Sequence, residues 1–193
     1  MGRPDIAVFE SAAEPRRTIY PDRIISNDRH TRVALLVDYP VLLRAVRAVD
    51  PDAVPRLGDI VRASRTLGAV FISRAYGAWY DIDEATAAFS EGLDPVFVPP
   101  LGPGNVPTTN ALITEGLTIV RQGSADLLAI SGDDRLLPVL SAAEEEDLPV
   151  ALIAHACQAD GPCLPMASSA MPASDFVRTI TRAERYRRPR SAA

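Results

Sequence analysis

Residues 125–154, ADLLAISGDDRLLPVLSAAEEEDLPVALIA, contain the pattern that decides the fold. Two apolar runs, 125–131 and 149–154, flank a stretch with helical spacing, which predicts a buried strand, a helix and a second buried strand. Strands that are apolar at nearly every position are typical of a parallel sheet covered by helices on both faces. The loop after the first strand carries two acids and a guanidinium: Asp133, Asp134 and Arg135.

The same alternation of apolar strands and helices extends over most of the chain. It predicts strands at 32–38, 69–76, 94–98, 125–131 and 149–154, and helices at 40–49, 55–67, 81–92, 108–121, 134–146 and 173–187. We therefore predict a three-layer α/β/α domain with a mainly parallel sheet over residues 31–180. An extended arm at 1–30 precedes this domain, and an arginine-rich tail at 181–193 follows it.

The composition is typical of a globular protein without a membrane span. No apolar run approaches roughly 18 residues, and the first residues lack the charged and apolar segments of a secretory signal. We therefore expect a cytoplasmic location and no membrane partner. All 20 basic residues are arginine, which excludes a catalytic lysine.

The charge is concentrated at the end of the chain. Residues 176–193 hold six arginines and one acid, a charge of +5, so the other 175 residues carry −10 of the total of −5. Such a segment is either an arm that binds nucleic acid or another partner, or a solvated and frayed terminus. As an RNA-binding arm it would act through Arg182, Arg185, Arg187 and Arg188.

Three acids are expected to converge at one edge of the sheet. Ligands of parallel sheets bind outside the carboxyl ends of the strands; Asp38 ends the first strand, Asp133 follows the strand at 125–131, and Glu115 lies on the intervening helix. Crowded carboxylates repel one another, and Mg²⁺ or Mn²⁺ would compensate them. A hydrated metal there could activate water against a phosphodiester. Alternatively, acids such as Asp133 or Asp134 only cap helices.

Four segments together resemble a known family. LLVDYPVLL (35–43), SRAYGAWYD (73–81), the block at 125–154 and SSAMPASDFVRTI (168–180) are similar to the NYN domains. These domains belong to the PIN-like nuclease superfamily, which includes the bacterial LabA-type proteins. The resemblance covers about residues 32–180, and it implies a PIN-like α/β/α fold and metal-dependent hydrolysis of RNA.

The resemblance also implies roles for individual residues. Asp38, Glu115 and Asp133 would hold Mg²⁺ or Mn²⁺ as catalytic ligands, and Asp134 would be an auxiliary catalytic acid. The chain departs from the family pattern at other positions, where Val41 replaces an expected asparagine and Leu136 an expected phenylalanine. Pro107, Thr108 and Thr109 replace charged partners of the helix acid, and Arg135 stands where a fourth acid is expected.

The arginine at position 135 leaves two functions open. Arg135 could neutralise Asp38 and Asp133 without any metal, or it could point outward and bind an RNA phosphate. We predict a metal-dependent ribonuclease of the NYN/PIN-like type, and the alternative is a catalytically inactive NYN-like module that binds RNA or a protein partner. The oligomeric state is not specified by these patterns, and a homodimer is compatible with them.

Two smaller groups also have alternative readings. His155, Cys157 and Cys163 could ligate zinc, although their spacing matches no strong zinc pattern, or they could be ordinary loop residues after the last strand. Tyr76 and Trp79 could stack on a base, or they could pack in the core.

Overall fold

The computed structural model describes residues 31–100 and 107–179. Its strands are β1 (Arg32–Asp38), β2 (Ala53–Pro55), β3 (Ala69–Gly77), β4 (Asp94–Phe97), β5 (Leu127–Ser131), β6 (Val150–His155), β7 (Ser169–Pro172) and β8 (Val177–Thr179). Its α-helices are α1 (Tyr39–Val49), α2 (Leu57–Arg65), α3 (Ile82–Ser90), α4 (Pro107–Gln122) and α5 (Leu137–Glu145).

Six strands form one sheet in the order β4-β3-β1-β5-β6-β7. Every neighbouring pair in this sheet is parallel, which confirms the predicted α/β architecture. The chain runs from β1 outward to β3 and β4, and then returns to β5 on the other side of β1. The order therefore reverses between β1 and β5, which is where doubly wound sheets bind their ligands.

The apolar residues of β1 supply two separate cores. Val33, Leu35 and Val37 belong to one buried cluster with residues of α1 and α2, and Ala34 and Leu36 belong to a second cluster with residues of α4 and α5. Because successive side chains of a strand point to opposite faces, a continuous apolar run fills both cores. The predicted three-layer arrangement is thus present.

The predicted helix at 173–187 is wrong over its described part. Residues Ala173–Phe176 form a single 3₁₀ turn, and β8 pairs antiparallel with β2. Phe176 is only 5% exposed, and its carbonyl oxygen accepts a hydrogen bond of 2.8 Å from the Arg56 N–H. Core burial and strand pairing have therefore overridden the helical spacing.

Several predicted features lie outside the described residues. These are the arm at 1–30, residues 101–106, the end of the predicted last helix, and the arginine-rich tail at 181–193. Within the described ranges, no helix has the length and apolarity that crossing a membrane would need.

Candidate functional site

The carboxyl ends of β1 and β5 define the candidate site, which we call the switch edge. It comprises Asp38, the last residue of β1, and Asp133 and Arg135, which follow β5. Both acids lie on short connections from a strand directly into a helical turn, so the sequence fixes their place at the edge. The structure thus brings Asp38 and Asp133 to the topological switch point.

Asp38 is a fully buried carboxylate with a partner on each oxygen. It is 0% exposed; its Oδ1 accepts a hydrogen bond of 3.2 Å from the Val41 N–H, and its Oδ2 accepts one of 2.5 Å from the Thr109 hydroxyl. The first of these bonds makes Asp38 the N-cap of α1. Burial raises the pKa of Asp38, although both hydrogen bonds and the charge of Arg135 oppose the rise.

Asp133 is held by Arg135 through a two-point contact. Nε of Arg135 donates to Oδ1 of Asp133 at 2.8 Å, and Nη2 donates to Oδ2 at 2.5 Å. Burial alone would raise the pKa of Asp133, but the hydrogen bonds and charge of Arg135 outweigh burial and lower it, with help from Arg44. Asp133 also caps the following 3₁₀ turn by accepting from the Arg135 backbone N–H.

Glu115 is engaged in a separate polar group. Its carboxylate accepts hydrogen bonds from the Arg74 guanidinium and the Tyr76 hydroxyl, both on β3. Along α4, Glu115 lies six residues beyond Thr109, a rise of about 9 Å. The structure therefore brings two of the three predicted metal ligands, Asp38 and Asp133, to the same edge. The third, Glu115, instead binds side chains of β3.

These residues do not fit a resident Mg²⁺ or Mn²⁺ ion as they stand. Such ions need oxygen atoms that are open to them, whereas both oxygens of Asp38 and both oxygens of Asp133 accept hydrogen bonds from the protein. The guanidinium of Arg135 lies against Asp133, where a cation would have to bind. A divalent metal would therefore have to displace Arg135.

Asp134 contacts cysteines instead of the other acids. Its Oδ2 accepts a hydrogen bond of 3.0 Å from the Gln158 N–H, and a carboxylate oxygen of Asp134 lies within 4.8 Å of both the Cys157 and Cys163 sulfur atoms. We call Asp134, Cys157 and Cys163 the sulfur cluster. The predicted soft group contained His155, but Nδ1 of His155 accepts a hydrogen bond of 3.2 Å from the Cys157 N–H and is not part of this cluster.

Sequence reasoning grouped Cys157 and Cys163 but missed Asp134 as their neighbour. The signal was nevertheless present, because Asp134 follows β5, the cysteines follow β6, and these two strands are parallel neighbours. Loops after neighbouring parallel strands meet at the same edge of a sheet.

Both aromatic candidates have packing partners inside the protein. Tyr76 is 2% exposed and belongs to the core. The ring of Trp79 stacks on Tyr39 with a centroid distance of 4.8 Å, and its Nε1–H donates to the Val96 carbonyl at 2.9 Å. Of the two alternatives predicted for these rings, the structure therefore favours packing in or against the core.

Residues beyond the described part include all four tail arginines predicted to bind RNA, Arg182, Arg185, Arg187 and Arg188. Of the predicted RNA contacts, only Arg135 can be placed. Its side chain is 35% exposed, so a ligand can reach it from solvent.

Comparisons with known proteins give the fold and no family. No family model matches the chain, and neither does any curated protein. A protein of unknown function from Vibrio parahaemolyticus has a similar structure, with a TM-score of 0.62, 14% identity, and coverage of 78% of this chain and 98% of that one. At this identity the similarity shows only the shared α/β fold.

Weaker similarities link the chain to parts of larger proteins. UDP-GlcNAc 2-epimerase from Neisseria meningitidis has a TM-score of 0.37 and 11% identity, over 64% of this chain and 30% of that one. MnaA from S. aureus, in a structure with UDP, has a TM-score of 0.36 and 10% identity, over 65% of this chain and 30% of that one. The chain spans less than a third of either protein, and neither similarity bears on its function.

Proposed function

We propose that this chain is an NYN-type, PIN-like module that binds RNA at the switch edge without metal-dependent cleavage. The observation that supports this proposal is the two-point contact of Arg135 on Asp133. In this arrangement a fixed guanidinium supplies the positive charge that a divalent ion would otherwise bring. No metal cofactor is then required.

The strength of the Arg135–Asp133 contact determines how strongly it competes with a metal. Hydrogen bonds between charged groups contribute about 1.5–3 kcal/mol, but these side chains are 35% and 25% exposed, so solvent screens part of the interaction. A net contribution of about 2 kcal/mol would weaken metal binding about 30-fold. Free Mg²⁺ or Mn²⁺ would therefore bind the edge poorly.

The same contact leaves part of Arg135 for a phosphate. The contact with Asp133 uses Nε and Nη2, so Nη1 can donate to a phosphate oxygen, a good partner for a guanidinium. Arg135 also lines a surface cavity of about 390 Å³ together with Asp133, Asp134, Ala156 and Gln158. Arg44, which acts on Asp133 electrostatically, adds a second positive charge nearby.

A second candidate function is the metal-dependent ribonuclease that the family resemblance implies. The observation that favours it is the arrival of Asp38 and Asp133 at one edge, since Mg²⁺ can be held by two carboxylates together with substrate phosphates. This function requires Arg135 to release Asp133 when RNA and metal arrive. A protein partner is a further alternative, since α3, the loop before it and β4 expose the apolar side chains of Tyr80, Ile82, Phe89 and Phe97.

One set of assays separates these functions. We expect labelled single-stranded RNA to bind in EDTA, measured by fluorescence anisotropy, and to stay intact on gels with Mn²⁺. Arg135→Gln should weaken this binding. Arg32→Gln is the matched control, because Arg32 makes a similar two-point contact with Asp126 where β1 begins.

The other outcomes are equally informative. Mn²⁺-dependent cleavage that disappears in Asp38→Asn and Asp133→Asn, and persists in Asp126→Asn, would replace our proposal with the ribonuclease. Absence of RNA binding under all conditions would leave the protein-binding alternative.

A further inference from the structure

The sulfur cluster is formed by two loops that meet at the carboxyl edge. Asp134 comes from the 3₁₀ turn after β5, and Cys157 and Cys163 come from the loop after β6. One ligand atom from each residue lies within 4.8 Å of the others. Three side chains that commonly bind metals are thus brought together by strand pairing, outside the contacts of Asp38, Asp133 and Arg135.

The Asp134 carboxylate has an unsatisfied oxygen in this cluster. Oδ1 is buried and has no hydrogen-bond partner among the described residues, whereas Oδ2 accepts from the Gln158 N–H. Gly161 packs directly against this carboxylate, and a Cβ atom at that position would collide with Oδ1. An enclosed, unpaired polar atom costs about 1–3 kcal/mol, and more when it is charged, so a donor or a cation bound there would stabilise the folded chain.

The two thiols lie next to this carboxylate and carry no charge of their own that could offset it. Their sulfur atoms lie within 4.8 Å of each other, and burial is the main reason that the pKa of Cys157 is raised to about 12 and that of Cys163 to about 11. Without a cation both thiols stay protonated. A bound divalent ion reverses this preference, because its charge stabilises thiolates and the two protons leave to solvent.

No cation of the described residues meets this need. Arg135, the nearest arginine in sequence, is committed to Asp133. His155 faces the loop with Nδ1 occupied by the Cys157 N–H, and burial lowers its pKa, so it brings no positive charge at neutral pH. An external cation with an affinity for sulfur would satisfy all three side chains.

We propose that Asp134, Cys157 and Cys163 bind one zinc ion, with water as the fourth ligand. Tetrahedral zinc with sulfur at about 2.3 Å would hold the two sulfur atoms about 3.8 Å apart. Ligand atoms already within 4.8 Å of one another need to approach by only about 1 Å. The ion would join the turn that carries Arg135 to the loop after β6, and so stiffen one side of the switch edge.

The test uses the full chain, freed of any affinity tag, reduced and stripped of metal. Addition of Zn²⁺ should give one bound ion per chain by elemental analysis and should raise the thermal midpoint. Addition of Co²⁺ should produce thiolate-to-cobalt charge-transfer absorption. Because loss of an outer-shell partner already costs about 10–100-fold in metal affinity, Cys157→Ser and Asp134→Asn should each weaken zinc binding at least about 10-fold.

Asp160→Asn serves as the control, because this exposed residue lies in the same loop and its substitution should keep the zinc affinity and the cobalt spectrum of the wild type. Cys163 is fully buried, so Cys157→Ser, at a partly exposed position, is the safer thiol variant for folding.

Three results would overturn the proposal. The first is a reduced protein without zinc uptake or cobalt charge transfer. The second is unchanged zinc affinity in Cys157→Ser or Asp134→Asn. The third is rapid formation of a Cys157–Cys163 disulfide in air, combined with no metal uptake after reduction, which would make the pair a redox element.

Discussion

Replacing Asp38 by asparagine should stabilise the metal-free protein at neutral pH. Asp38 is fully buried and burial raises its pKa, so its ionised form is less favourable in the folded chain than in the unfolded chain. Asparagine can keep both hydrogen bonds: its oxygen can accept from the Val41 N–H, and its amide can donate to the Thr109 oxygen. The substitution therefore removes a buried charge and preserves the N-cap.

The expected gain is the difference between two effects. Burial of a charge that keeps its hydrogen bonds still costs on the order of 2 kcal/mol. Against this, a carboxylate at the start of α1 gains about 0.5 kcal/mol from the helix dipole. A net gain of about 1–2 kcal/mol in the free energy of unfolding corresponds to a rise of about 3–6 °C in the thermal midpoint for a domain of this size.

The pH dependence of stability tests independently whether Asp38→Asn is more stable than the wild type. A pKa that is raised on folding makes ionisation destabilising, so the wild type should lose stability relative to Asp38→Asn as pH rises through the folded pKa. Below the unfolded pKa, where both are neutral, the two proteins should have similar stability. Calorimetric unfolding across this pH range, in EDTA, measures the difference directly.

Asp126→Asn is a control for which we expect the opposite change in stability. Hydrogen bonds from Arg32 lower the pKa of Asp126, so this carboxylate stabilises the fold above its unfolded pKa and the stabilisation is lost as pH falls through the folded pKa. Asp126→Asn should therefore be less stable than the wild type at neutral pH. If Asp38→Asn is also less stable there, or if its advantage does not shrink on acidification, our account of Asp38 is incorrect.

Three further predictions concern the compensation of charge. Arg135→Asp should destabilise the metal-free protein by about 1–2 kcal/mol, because the neighbouring acids lose their counter-charge, and Mn²⁺ should restore the loss in calorimetry; micromolar Mn²⁺ binding by the wild type would show instead that Arg135 leaves the edge. Deleting residues 182–193 should weaken RNA binding and flatten its salt dependence with little change in the thermal midpoint, whereas a large fall in the midpoint would show that the tail is packed. Glu115→Gln should lower stability by about 1 kcal/mol through its contact with Arg74 and leave RNA affinity unchanged; a large loss of affinity would place Glu115 in the RNA site.

The strands and the edge could be predicted from sequence because they depend on local patterns. An apolar run such as 125–131 has to be covered on both faces, and that requirement alone favours a parallel sheet between helices. The acid that ends such a run is then carried to the carboxyl edge whatever the rest of the chain does. This is why Asp38 and Asp133 were placed correctly at the edge.

Positions that depend on tertiary partners could not be predicted in this way. Glu115 on α4 is oriented by Arg74 and Tyr76, which lie about 40 residues earlier, on β3. The segment at 173–179 has helical spacing, but the burial of Phe176 and the pairing of β8 with β2 decide its structure. Neither outcome can be predicted from a local sequence pattern.

Asp38, Asp133 and Asp134 all lie at or just after the carboxyl ends of β1 and β5, but the protein compensates their charges in different ways. These differences determine which cation each acid can bind. Asp38 has a hydroxyl and an amide as partners, and Asp133 has a guanidinium, whereas one oxygen of Asp134 has no partner and faces sulfur. A hard ion such as Mn²⁺ would therefore have to displace a guanidinium, whereas a zinc ion would have to displace only the two thiol protons. Because the two sites would share no ligand, zinc binding by the sulfur cluster and manganese binding by Arg135→Asp should both occur in one chain, and each ion should raise the thermal midpoint. Competition between the two ions would instead mean that Asp134 turns toward Asp38 and that the two groups form one site.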